Sequence, residues 1–271
     1  MNVVFWNVNK NDNIDKTLEL LIQENNVDLL VLAEYTDDTN TLCRKISNAN
    51  KTYCSLQSIG CDKIKGIVNS QYIQEQLCAE ARYSIVGLQT ACFKLIISMI
   101  HGESNLHYTD DDRMPTFGRF YRDIEESEKR LNCGNTIIIG DLNSNPFDRS
   151  VMSVGALHAI PYKEEVKQET REVSGAEYKK FYNPMWKFFG NNEAPYGTYY
   201  YNSSKPVNYY WNIFDQVLIR PSLCSAFSND HLKIITEINQ VSLLKNNYKP
   251  DGAIFSDHLP IFFKIMEEKI V

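Results

Sequence analysis

Apolar residues in this chain fall into short runs, and the runs end on polar side chains. Val3-Val4-Phe5-Trp6 passes into Asn7-Val8-Asn9, and Val27-Asp28-Leu29-Leu30-Val31-Leu32-Ala33 ends at Glu34. Leu95-Ile96-Ile97-Ser98-Met99-Ile100 ends at His101. Thr136-Ile137-Ile138-Ile139 reaches Gly140 and delivers Asp141 and Asn143. Ile213-Phe214 carries Asp215 into Gln216-Val217-Leu218-Ile219, and Asp257-His258 precedes Leu259-Pro260-Ile261-Phe262-Phe263. Runs of this length, rich in β-branched and aromatic residues, are read as buried strands. Apolar residues at Ile14, Leu18, Leu21 and Ile22 have helical spacing, predicting a helix over 14–25 that Asn13 or Asp12 can cap. A second helix, dense in charge, is predicted over 117–131, just before the strand at 136–139. Strand, helix, strand at both places argues for an α/β architecture in layers. Short strands around Ile67, Ile85 and Phe93 are expected to be antiparallel and hairpin-linked, which makes the sheets mixed.

The polar ends carry the candidate chemistry. A strand alternates faces with period two, so Asp141 and Asn143 share a face if strand geometry persists across Leu142. A carboxylate and an amide then stand at the carboxyl end of a strand, where open α/β sheets place ligands. The same segment, Gly140 to Pro146, also reads as a strand running into an Asx-type turn before proline. Six runs that each deliver one or two polar groups are hard to obtain from core packing alone.

Together, WNVN, LAEYT, SMIHGES, IIIGDLNSNP, FDQVLI and FSDHLP, in that order from Asn7 to His258, resemble the endonuclease/exonuclease/phosphatase superfamily. GDLNSNP and SDHLP are the specific segments, and Ala33 stands where the family usually has Gln before the metal-binding Glu. The resemblance implies a four-layer α/β/β/α sandwich with two mixed β-sheets, formed by residues 1–271 as a single catalytic domain. It implies metal-assisted phosphoester hydrolysis at one rim, with Mg²⁺ or Mn²⁺ held by Glu34, Asn7 and Asp257. Such hard cations take oxygen ligands. Asp141 would orient or deprotonate water, and Asn143 would donate to a phosphate oxygen. His258 would contact phosphate or water, with Asp257 either pairing with it or reaching the metal. Asp215 is expected to orient His101. Arg82 could hold a phosphate or serve the surface. Having His at 101 brings the resemblance nearer the two-histidine, deoxyribonuclease-like branch. His107 and the Asp110-Asp111-Asp112 run read as exposed loop.

Bulk properties narrow the picture. A chain of 271 residues with 43% hydrophobic and 23% charged residues can bury a sizeable core. No apolar stretch approaches the roughly 18 residues of a membrane span. The chain enters a strand almost at once, leaving no room for a signal peptide, so a cytoplasmic location is expected. Seven cysteines without a CxxC pair suggest free thiols rather than zinc or a disulfide framework. The balance of 34 acidic against 28 basic residues, net −6, counts against tight, sequence-blind binding to long duplex DNA. It leaves room for a nuclease, because a bound cation offsets local carboxylate charge. Lys63 with Lys65, Lys129 with Arg130, and Lys179 with Lys180 are expected to be solvated surface.

The stretch 164–212 is aromatic-rich and matches no family motif: Phe181, Tyr182, Trp186, Phe188 and Phe189, then Tyr199-Tyr200-Tyr201 and Tyr209-Tyr210-Trp211. Its rings can pack a core or offer stacking faces to unpaired bases. The leading expectation is a Mg²⁺-dependent nuclease acting on DNA or RNA. The alternatives are a phosphatase or phosphodiesterase on a small or lipid phosphate, with the same catalytic set, and a binding module that kept the fold. Oligomeric state is not encoded in any pattern of the sequence.

Overall fold

The apolar runs form strands that pair into two large mixed sheets. The structure, a computed structural model, describes residues 1–190, 193–204, 206–246 and 248–270. In chain order the strands of the two sheets are β1 (Asn2–Asn7), β2 (Leu29–Ala33), β3 (Tyr53–Ser55), β4 (Ile64–Asn69), β5 (Ile73–Glu80), β6 (Tyr83–Gln89) and β7 (Lys94–His101). They continue with β8 (Thr136–Asp141), β9 (Ala159–Ile160), β10 (Phe181–Tyr182), β11 (Asp215–Ile219), β12 (Lys233–Ile234) and β13 (Ile261–Lys264). The first sheet has six strands in the order β12-β13-β1-β2-β4-β3, and the second has seven in the order β5-β6-β7-β8-β11-β10-β9. Parallel pairs β1–β2, β7–β8 and β9–β10 lie among otherwise antiparallel neighbours. β6 and β7 form the expected hairpin, while Ile67 lies on β4 in the other sheet, and Phe93 sits in the turn before β7.

Period-two alternation sorts the side chains into layers. Val3, Phe5, Val31, Ile97, Ile137, Ile139 and Val217 point between the sheets and make one core. Val4, Trp6, Leu30 and Leu32 point the other way, onto helices α1 (Asp15–Asn25) and α2 (Thr39–Ile46). Ile85, Ile96, Ile138 and Leu218 pack on Phe117, Phe120 and Ile124 of α3 (Asp110–Leu131). The result is α/β/β/α, held by side chains that each contribute roughly 1.5–3 kcal/mol when fully buried.

One helix cap and one helix start depart from the expectation. α1 begins at Asp15 with Ile14 in the capping position and no side-chain cap. Asn13 and Asp12 do not cap it: Asn13 donates its N–H to Asn11 Oδ1, and Asp12 accepts from Thr36. α3 begins seven residues earlier than 117, at Asp110. Thr109 and Asp112 close a reciprocal capping box, so the acidic run is the first turn of a helix rather than a loop. Three aspartates there also complement the helix dipole. The lysine pair at 179–180 is likewise less solvated than expected. Lys179 Nζ lies 2.9 Å from Glu128, and buried Lys180 donates to the Glu165 and Gln168 carbonyls. No helix among the described residues is long and apolar enough to cross a membrane.

Candidate active site

Alternation also determines which polar groups reach the rim. Val3 and Phe5 face the inter-sheet core, so Asn7 continues on that face. In the same way Ile97 and Met99 lead to His101, Ile137 and Ile139 to Asp141, and Val217 back to Asp215. In register, His101 pairs with Asp141 and Asp141 with Asp215, so the three stand side by side across β7, β8 and β11. β7 and β8 come close at their ends. A Cβ on Gly140 would lie 1.8 Å from the Ile100 carbonyl oxygen, and only glycine fits.

Glu34 reaches the site by leaving the pattern. Ala33 occupies the inner-face position, so its successor on a regular strand would face the helices. Glu34 instead adopts φ 55, a left-handed conformation that costs a non-glycine residue about 1 kcal/mol. Its Oε1 lies 3.6 Å from His101 Nε2.

Asp141 is the hub. Its Oδ2 accepts from Asn7 Nδ2 at 3.0 Å, and its Oδ1 accepts the Asn143 N–H at 2.8 Å. His101 Nε2 lies 3.7 Å and His258 Nε2 3.9 Å from the same Oδ2. The strand ends at Asp141, and Asn143 (φ 49) sits in the Asx turn that follows. Strand geometry does not persist across Leu142, so the Asx turn is the reading that holds, and it aims Asn143, whose Nδ2 rests 3.4 Å from the Gly102 carbonyl. Asn7 is a hydrogen-bonding partner of Asp141, and its amide oxygen accepts the Asn9 N–H at 3.0 Å.

The second Asp-His couple differs from the expectation. Asp215 does not touch His101, because β8 lies between their strands, two strand spacings or roughly 9–10 Å. It bonds His258 instead: His258 Nδ1 lies 2.8 Å from Asp215 Oδ2 and 3.1 Å from Oδ1. Asp257 is therefore not the histidine's partner. Its Oδ1 is buried without a hydrogen-bond partner. His258 is fixed by its backbone as well. Its carbonyl accepts from Trp6 Nε1 at 2.9 Å, and its N–H donates to Ser256, whose hydroxyl donates to the Asn7 carbonyl at 2.6 Å. Arg82 stays at the edge, with Nε 3.6 Å from Glu103 and Nη1 3.4 Å from the Gly102 carbonyl. His107 lies in an exposed turn, as expected.

Charge is heavily one-signed here. Burial opposes protonation of His258, but Asp215, Asp141 and Asp257 outweigh it, and the imidazole's pKa is pushed up to about 10. Burial raises the Asp257 carboxyl above the ordinary range; Glu34 and Asp141 add to this, while His258 works against it. Tyr199, whose ring centroid is 4.5 Å from that of His258, is pushed up to about 12 by burial and then by Asp257, Asp141 and Asp215. A partnerless buried carboxylate oxygen among like charges fits a divalent cation with hard oxygen ligands. Ligand atoms of Asp141, Asp215 and His258 also lie within 4.8 Å of one another. Asp215 already spends its carboxylate on the imidazole, so these three are better suited to moving protons.

Several residues that support the site carried no signal strong enough to single them out. Asn145 Nδ2 donates to Asn212, and its oxygen accepts the Ile213 N–H, each at 2.9 Å. Gln216 Nε2 donates to the Ser144 carbonyl at 2.6 Å. Thr198 Oγ1 accepts the Asp215 N–H at 3.2 Å. Asn105 Nδ2 donates to the Asn143 carbonyl at 2.6 Å. Asn145 and Gln216 lie inside the quoted motifs, but their contacts span about seventy positions and are invisible to local spacing.

Residues 4–258 match the profile of the Endonuclease/Exonuclease/phosphatase family. The chain belongs to that family. Among solved structures it resembles TDP2 of D. rerio complexed with single strand DNA product, at 18% identity over 97% of both chains and a TM-score of 0.60. It also resembles a 3'-5' exonuclease (NExo) from Neisseria meningitidis, at 12% identity over 98% of this chain and 99% of that one, with a TM-score of 0.56. The endonuclease domain of TRAS1, a telomere-specific non-LTR retrotransposon, aligns at 11% identity over 97% of both chains with a TM-score of 0.54. At these identities the structures share the fold. A comparison with curated proteins finds no match. Family membership makes the chain a phosphoesterase of the α/β/β/α class.

Proposed function

We propose that this phosphoesterase is a nuclease that hydrolyses DNA or RNA phosphodiester bonds with Mg²⁺ or Mn²⁺, as a single catalytic domain of the two-histidine, deoxyribonuclease-like branch. The observation that carries the reading is Asp141. Both its oxygens are held, and the Nε2 atoms of two histidines lie 3.7 and 3.9 Å from its Oδ2. Glu34 and Asp257 would hold the cation, with Asn7 beside them, and the cation would neutralise charge on the phosphate. Asp141, oriented by Asn7 and Asn143, accepts the proton of the attacking water. Asp215 fixes the His258 tautomer and stabilises its charged form, so Nε2 offers a proton to the phosphate or the leaving oxygen. His101, between Glu34 and Asp141, is placed to take on the water proton that Asp141 receives. Asn143 donates to a non-bridging oxygen, and Arg82 is available at the edge if it leaves Glu103.

The structural relatives include a complex with single strand DNA product, an exonuclease and an endonuclease domain, which supports nucleic acid as substrate. The net charge of −6 favours the rival reading, a small or lipid phosphate. Seven free thiols fit a reducing compartment such as the cytoplasm. A panel of polynucleotides, inositol phosphates and sphingomyelin, with and without Mg²⁺ and followed by end-group analysis, decides between them. Cleaved polynucleotide that is spared by chelator is the expected result. Activity confined to the small or lipid phosphates would remove the nuclease assignment.

A further inference from the structure

Beside the catalytic rim lies a cleft of about 350 Å³, within the range of roughly 300–1,000 Å³ typical of ligand sites. It starts at Asn143 and Tyr199, residues that also touch the catalytic cluster, and runs outward. One wall is a stack of rings: Tyr199 lies 5.3 Å from Phe214 at 25° and 6.4 Å from Tyr201 at 15°. The mouth is apolar yet solvent-facing, with Leu106 73%, Val207 67%, Tyr209 58% and Tyr201 46% exposed. Large exposed apolar groups gathered around one opening mark a binding surface rather than chance. These residues come from the aromatic stretch and neighbouring loops that carry no family motif.

Ring faces and polar edges point to the occupant. No lysine or arginine is found among the described residues lining this cleft, and Asp148 contributes a carboxylate. Among the described residues, a second phosphate would meet that carboxylate and no cation. A flat, uncharged ring with hydrogen-bonding edges suits it, with aromatic faces to meet the ring and polar side chains such as Asn212 and Ser204 to meet its edge.

We infer that the cleft seats one unpaired nucleobase of the nucleotide next to the scissile phosphate, making the preferred substrate single-stranded or locally unpaired nucleic acid. This rests on the nuclease reading above and deepens it. A base in a duplex stays in its stack and cannot enter a side cleft without the cost of unstacking, a few kcal/mol. Stacking in the cleft offsets that cost only where the base is already free.

The test walks a single abasic residue along a single-stranded oligonucleotide and measures KM with Mg²⁺. An abasic residue beside the cut should raise KM about tenfold, the usual scale of losing one stacked base, while one placed far from the cut should not. Tyr201→Ala, Tyr209→Ala and Val207→Asp should each narrow that gap. Equal KM for intact and abasic strands, or variants that keep the full gap, would overturn the base-seating inference and leave the nuclease reading standing. Failure of the starting protein to cut either strand would remove both.

Discussion

At the residue scale the site is a set of assigned partners, and each assignment has a measurable consequence. Asp215→Asn keeps the shape beside His258 Nδ1 but removes the charge. It should lower kcat by about 10²–10⁴-fold, the range of a general acid–base contribution, with a smaller change in KM. Steady-state kinetics of that variant check this, and an unaltered kcat would detach the couple from catalysis. His258 also links stability to pH. Its folded pKa, about 10, lies above the ordinary 6.5 of an unfolded chain. Its stabilising contribution is therefore full below about pH 6.5 and fades as pH rises through 10. Urea unfolding of the starting protein and His258→Gln, with chelator present, should give curves whose separation shrinks from pH 6 to pH 10. Most of these residues were legible in sequence because each ends an apolar run. The pairing of histidines with acids was not. Asp257 adjoins His258 in the chain, yet the imidazole turns to Asp215, forty-three positions away, because β11 brings that carboxylate beside β8.

At the element scale, strand ends and the start of α1 were readable to within a residue or two, and the start of α3 was not. The period-two runs gave β1, β2, β7, β8 and β11 nearly to the residue, since burial on both faces leaves few alternatives. The capping box at Thr109 was hidden inside an acidic run that also looks like solvated loop. Two positions test how the elements are held. Gly140→Ala should force β7 and β8 apart at the site, since its Cβ would meet the Ile100 carbonyl. It should lose both stability and activity, read as a lower Tm and a lower kcat in the same preparation. Arg220 separates the two properties. It forms a buried pair with Glu128, Nε to Oε1 at 2.7 Å, and lies 3.9 Å from the Phe181 ring. Thr136 donates to the same carboxylate at 2.8 Å, at the opposite end of β8 from Asp141. Arg220→Ala removes one of the two cations on that buried carboxylate, leaving Lys179 on Oε2, and should cost about 1.5–3 kcal/mol in denaturant unfolding. Cleavage well below the variant's Tm should persist.

At the scale of the whole molecule, two sheets bring segments from Asn7 to His258 to one rim, and the price is a concentration of like charge. Glu34, Asp141, Asp215 and Asp257 share that rim, and partly buried Asp257 keeps one carboxylate oxygen away from water. Divalent metal should therefore stabilise the fold as well as activate it. At about a hundred times its dissociation constant, Mg²⁺ should add about 2.7 kcal/mol, seen as a rise in Tm that Asp257→Ala reduces. The layered architecture was legible because its cores follow from alternation. The cleft of Tyr199, Tyr201 and Tyr209 was not, because aromatic residues in sequence look the same whether they fill a core or line a surface.

Cleavage of an end-labelled single-stranded oligonucleotide by the purified chain, alongside Glu34→Gln and His258→Ala, tests the convergence of these segments most directly. The starting protein should cut with Mg²⁺ and stop when chelator is added, and each variant should lose about a hundredfold or more while still unfolding cooperatively. Cutting that ignores chelator, or a folded variant that cuts at the full rate, would contradict the account.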